Sequence, residues 1–141
     1  MTVEETQCLW VTYKTDESLV DKLIEHHAFF LRILNKIAIF KYSENIKQLL
    51  VIEMFFRKDT LLPENDRVYF AKKKASLQLF INAPYDRLLQ ADEKETLQII
   101  AETYLRAVET FLFNRKDFDG KKFYEDVKNL FESEGILEKK M

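Results

Sequence analysis

Two adjacent imidazoles, one thiol and a large complement of carboxylates are the groups in this chain with chemical potential. His26 and His27 are its only histidines. Neighbouring side chains on a helix diverge by about 100°, so this pair lacks the i, i+4 spacing that grips a zinc ion, and no HExxH or ExxH pattern accompanies it. His27 is expected at the edge of the core, bonded to backbone or water, with acid/base work as the functional alternative. Glu53 interrupts the apolar run LLVIEMFF. Buried, its carboxyl would titrate high and could act as a general acid or base; the expected setting is a sheet edge beside Lys or Arg. Cys8 stands alone, so it closes no disulfide within the chain, and a reducing compartment fits. Phosphate-cradling loops need several glycines, whereas Gly120 and Gly135 are isolated. None of Ser18, Ser43, Ser76 and Ser133 has the flanking glycines of a hydrolase elbow. The expectation is therefore no catalytic residue, no metal and no cofactor.

The charged clusters are candidates for binding rather than catalysis. Lys72, Lys73 and Lys74 follow Tyr69 and Phe70, with Arg57, Lys58 and Arg67 nearby in sequence. Single-stranded nucleic acid favours such a basic and aromatic mixture, but three lysines on a strand edge also guard against edge pairing. Glu102 and Arg106 have the favourable i, i+4 order, and together with Glu95, Gln98 and Glu109 they lie opposite an apolar stripe. A solvated face is the ordinary reading. The functional one is an acidic contact patch formed by Glu102, Glu109, Glu125, Asp126 and Glu132. Trp10 is either packing on a second sheet face or an exposed anchor.

These groups must be placed by a small number of elements. From Asp92 to Arg115, the residues Leu97, Ile100, Ala101, Tyr104, Val108, Phe111 and Leu112 recur at helical spacing and predict a helix of about six turns. Asp92 with Glu95 has the form of a capping box at its start. A second helix is predicted from Gly120 to Glu134, burying Phe123, Val127, Leu130 and Phe131. Phe118, Asp119 and Phe123 are spaced as a hydrophobic staple around a cap, and Gly135 with Ile136 has the form of a left-handed stop. Upstream, residues 6–14 alternate as a strand. Thr15 or Asp16 then caps a helix ending near Asn35, with Val20, Leu23, Ile24, His27, Leu31 and Leu34 on one face.

Between Lys36 and Lys58, IAIFKY and KQLLVIEMFFRK predict two strands joined by a short turn. The second is apolar at both alternations, as a central strand or an interface wall would be. Thr60 to Asp66 reads as a loop, and Arg67 to Asn82 as one long or two short strands stopped by Pro84. Ala75, Leu77, Leu79 and Ile81 share one face of that stretch with Lys72 and Lys74 on the other, and Asp86 to Gln90 forms a helical turn. The resulting expectation is one α+β domain over residues 1–141. Its antiparallel sheet of about four or five strands has one helix after the first strand and two C-terminal helices packed on it.

Composition bounds the rest. An apolar share of 47% with twelve Phe and six Tyr excludes a disordered chain and predicts an aromatic core. Net charge is −2, with acidic flanks at residues 1–30 and 92–134 around a basic middle. That balance argues against both a general nucleic-acid binder and a highly acidic mimic of DNA. The acidic start MTVEETQ lacks the form of an export signal, and no apolar run reaches about 18 residues, so a cytoplasmic location without a membrane span is expected.

In size and order of elements the chain resembles small bacterial immunity proteins of polymorphic-toxin and contact-dependent growth inhibition systems. The segments carrying the likeness are QLLVIEMFF, ETLQIIAETYLRAVETF and KDFDGKKFYEDVKNLFESEGIL. The resemblance implies a non-catalytic cytosolic protein whose partner is a cognate toxin blocked by direct binding. The acidic patch would suit the basic substrate groove of a nuclease. Two other readings compete: a small-ligand or enzymatic domain using Glu53, His27 or a tyrosine in a pocket between sheet and helices, and a single-stranded nucleic-acid module.

Overall fold

A computed structural model of the chain describes residues 8–15, 23, 26, 28–30, 32–37, 41–43, 49–56, 67–71, 76–82 and 84–137. Along the strands only the backbone is described, apart from the side chains of Leu79 and Ile81. Four strands form one sheet: β1 (Cys8–Thr15), β2 (Leu49–Phe56), β3 (Arg67–Ala71) and β4 (Ser76–Asn82), in the order β1-β2-β4-β3. Three helices follow: α1 (Tyr85–Gln90), α2 (Glu93–Leu112) and α3 (Gly120–Ser133).

The expected antiparallel α+β meander is not what forms. β1 pairs with β2 in parallel, Cys8 opposite Leu49, and β2 pairs with β4 in parallel, Leu49 opposite Ser76. Only β3 runs against its neighbour, with Arg67 opposite Phe80. Parallel neighbours require a long crossover, and residues 16–48 supply one, with helical residues at 23, 26, 28–30 and 32–34. Most described side chains lie on helices, so the molecule is better characterised as helices packed around one another and against a mixed, mainly parallel sheet.

Position in the sheet also corrects Glu53. It lies on an interior strand, in register with Thr12 on one side and Phe80 on the other, not on an edge. Apolar residues at both alternations of β2 agree with that interior place. The strand expected at IAIFKY fails where it is described, because Ile37 and Tyr42 lie in bends and Lys41 in a 3-10 turn. The Thr60 to Asp66 loop and Lys72 to Lys74 lie outside the described residues.

α2 carries the core. Ten of its residues are buried, including Thr96, Ile99, Thr103, Leu105 and Ala107 beyond the expected stripe. The band is wide because α2 is covered twice, by β4 and β2 on one side and by α3 on another. α3 thus packs chiefly on α2 rather than on the sheet. Leu79 and Ile81, two apart on β4, are both fully buried. The helix ends at Leu112 instead of Arg115, whose guanidinium is turned back to Asp117.

Aromatic rings knit distant segments together. Phe30 meets Phe131 edge-on at 5.8 Å, Phe131 meets Tyr104 at 5.9 Å, and Phe123 meets Tyr42 at 5.0 Å. Among the described residues of the crossover, Leu23, His26, Phe30, Ile33 and Leu34 are buried. His26 therefore faces inward, while His27 lies outside the described residues. The Tyr104 hydroxyl finds no hydrogen-bond partner among the described residues, and burial drives its pKa up.

The helix signals at α3 are met in detail. Asp119 accepts from the Lys122 N–H at 3.2 Å, and Phe118 contacts Phe123 with ring centroids 5.4 Å apart. At the far end Gly135 takes φ +77°, which glycine adopts without strain. The Ile136 N–H donates to the Phe131 carbonyl at 2.9 Å and the Gly135 N–H to that of Glu132 at 3.1 Å. That is the Schellman closure of a helix. At α2, Asp92 accepts from the Glu95 N–H at 2.8 Å.

Candidate functional site

The connection between α2 and α3 folds against the short segment Lys41–Ser43 and leaves an open depression of about 790 Å³ between them. Two constraints shape it. Gly120 starts α3 so close to the end of α2 that a Cβ there would collide with the Leu112 carbonyl. The Asp119 N–H then donates to the Tyr42 carbonyl at 2.8 Å, while the Ser43 hydroxyl donates to the Asp117 carbonyl. Two stretches remote in sequence are thereby tied by backbone and side-chain bonds together.

Around the rim, the Arg115 guanidinium makes a two-pronged contact with Asp117, Nε to Oδ1 at 2.7 Å and Nη2 to Oδ2 at 2.6 Å. This hydrogen bonding holds the Asp117 carboxyl below its usual range, against a smaller opposing effect of burial. The Tyr42 hydroxyl donates to Asp126 at 2.7 Å. Burial is the main reason its pKa is raised, and the bond to Asp126 adds to it. The phenol is thus a fixed neutral donor rather than a base. Lys41, Lys116 and Lys121 stand exposed around the depression.

Each carboxylate expected to bind a partner has a defined place. Glu102 and Glu109 are about two turns apart, on the face of α2 turned away from Tyr104. Glu102 lies 3.6 Å from Arg87. Glu125 and Glu132 likewise share a face of α3, opposite Phe123, Val127 and Phe131. Asp126 sits on the flank of α3, held by Tyr42 and by Lys122 at 3.5 Å. The five are therefore distributed over two helix faces and one flank. The groups on which the competing readings rest, Glu53, His27 and Lys72 to Lys74, have no described side chains.

Sequence reasoning did not single out Tyr42, Arg115, Lys116 or Asp117. The alternating charges of RKDFDGKK, with a glycine at its centre, were the available signal. Among the described residues no group of His, Cys, Asp or Glu is placed to hold a metal ion, and no helix is long and apolar enough to cross a membrane.

A family model described as Immunity protein 44 matches residues 7–133. The chain belongs to the Immunity protein 44 family. That match runs from the sheet through α3 and includes the whole depression, so the features built above are features of an Immunity protein 44 domain. No curated protein and no solved structure matches the chain. Family membership agrees with the likeness to immunity proteins of toxin systems drawn from the sequence, and it implies a cognate toxin as the partner.

Proposed function

We propose that this chain neutralises a cognate bacterial toxin domain in the cytoplasm by binding it directly, with no bond-making of its own. The match to the immunity family over residues 7–133 carries the reading. The outward-facing carboxylates of α2 and α3 supply the recognition chemistry, with half-buried Glu102 and exposed Glu109 on one helix and exposed Glu125 and half-buried Glu132 on the other. A toxin with a basic substrate groove, such as a nuclease, is the partner such a surface fits, and electrostatic steering would make association fast and salt-sensitive. Asp126, on the flank of α3, adds to these, but its bonds to Tyr42 and Lys122 also give it a structural role.

The test is calorimetric titration of the purified chain with the toxin domain encoded beside its gene, at low and high salt. A tight complex that weakens with salt is expected. Reversing Glu102 and Glu109, or Glu125 and Glu132, to lysine should weaken it roughly tenfold or more, as loss of steering charges does. Absence of any complex at micromolar concentration would refute direct binding, and a complex indifferent to all four reversals would refute the acidic surface.

A further inference from the structure

We propose that the depression between Lys41–Ser43 and the α2–α3 connection is a second contact for the toxin, and that it receives a short acidic loop of that partner. This rests on the toxin-binding reading and adds a surface of opposite charge to the one assigned there.

Charge accounting comes first. The depression is lined by four cations, Lys41, Arg115, Lys116 and Lys121, and by two carboxylates, Asp117 and Asp119. Both carboxylates are engaged within the fold. Asp117 is gripped by Arg115, and Asp119 accepts the Lys122 N–H as the cap of α3. Lys41, Lys116 and Lys121 are exposed and meet no carboxylate among the described residues. Among the described residues, three ammonium groups thus outnumber the one carboxylate of the lining, Asp119, that no cation grips.

Shape and stiffness come second. A volume of about 790 Å³ admits several side chains of a loop. The walls are tied by Asp119 to Tyr42, Ser43 to Asp117 and Tyr42 to Asp126. A surface ordered in advance spends little of its binding energy on ordering. At one wall the half-buried Phe113 stacks edge-on with half-buried Tyr124 at 5.3 Å, an aromatic pair of the kind that anchors interfaces.

The occupant follows from what surrounds the lysines. A long polyanion is disfavoured by a chain whose net charge is −2 and whose two helices joined at the depression carry the exposed Glu109 and Glu125. A loop bearing two or three carboxylates meets the lysines alone. Two contacts of opposite charge would also set the orientation of the docked toxin and reject partners docked the other way round.

Carbodiimide treatment of the complex with the toxin domain encoded beside the gene, followed by mass spectrometry, reads the contact directly. Amide links from Lys41, Lys116 or Lys121 to Asp or Glu of the toxin are expected. The triple variant K41E/K116E/K121E should bind roughly ten- to a hundredfold more weakly, mainly through slower association. The K41Q/K116Q/K121Q variant should fall in between. Circular dichroism should show both folded, because the lysines are exposed and an acidic residue in the first turn of α3 suits the helix dipole. Wild-type affinity in the triple Glu variant, or links confined to other lysines, would overturn this second contact while leaving the toxin-binding reading intact. Failure of the wild type to bind would sink both. A wild type that retains single-stranded DNA, with no carboxylate links to the toxin, would replace the acidic loop by a nucleic acid.

Discussion

Gly120 shows how much one missing methyl can decide. Its backbone lies against the Leu112 carbonyl, and the reversal of direction from α2 into α3 depends on that closeness. Gly120→Ala forces the two helix ends apart and should destabilise the fold by about 3 kcal/mol, in the range of overpacked sites; chemical denaturation checks it. Asp117 is a second single-residue case, and its effect is pH-dependent. Arg115 holds its folded pKa below the ordinary 3.8. The stability from this pair is therefore present above the unfolded value and lost as pH falls through the folded one. Asp117→Asn should be less stable than the parent at neutral pH, and the gap should close as the pH falls below the ordinary carboxylate value and through the lowered folded one. Denaturation midpoints of the two proteins across that range provide the measurement. A gap that stays constant with pH would show that the Asp117 charge is not what matters.

At the scale of elements, α3 is specified almost entirely by local chemistry. Asp119 caps it, Phe118 and Phe123 staple its entry, and Gly135 closes it. Each operates within a few residues, which is why each could be read before any contact across the molecule was known. Asp119→Ala should cost about 1 kcal/mol, the usual loss of an N-cap, and Asp119→Ser should recover most of it. Thermal unfolding of the two variants separates loss of the cap from damage to the depression, since serine restores only the former. The breadth of burial on α2 was less legible. Its spacing marked one stripe, but Thr96, Thr103 and Ala107 are buried because a second layer covers the helix, and no periodicity within α2 announces a neighbour. A hydroxyl reaching its own backbone, as Thr103 does to Ile99 at 2.8 Å, lets a polar residue enter that second interface.

Taken whole, the molecule is held by aromatic contacts between segments far apart in the chain. Phe131 of α3 touches both Phe30 of the crossover and Tyr104 of α2. Phe131→Ala should therefore lose about 3–5 kcal/mol, the range for deleting a fully buried aromatic side chain, and should loosen the crossover as well as α3; hydrogen exchange at residues 28–34 reports the second effect. Protection there unchanged from the parent would mean the crossover is secured by other contacts. The candidate depression belongs to this scale too, because Ser43 and Asp117 that close it are 74 positions apart. What the chain determined by itself was local: the caps that start α2 and α3, the glycine stop of α3, most of the apolar stripes these helices bury, and the likeness to immunity proteins. Strand direction was decided only in three dimensions, because alternation with period two is identical in parallel and antiparallel ladders. So was the meeting of Lys41–Ser43 with the α2–α3 connection, which exists because Gly120 lets two helix ends touch and brings backbone donors to carbonyls that no spacing in sequence connects.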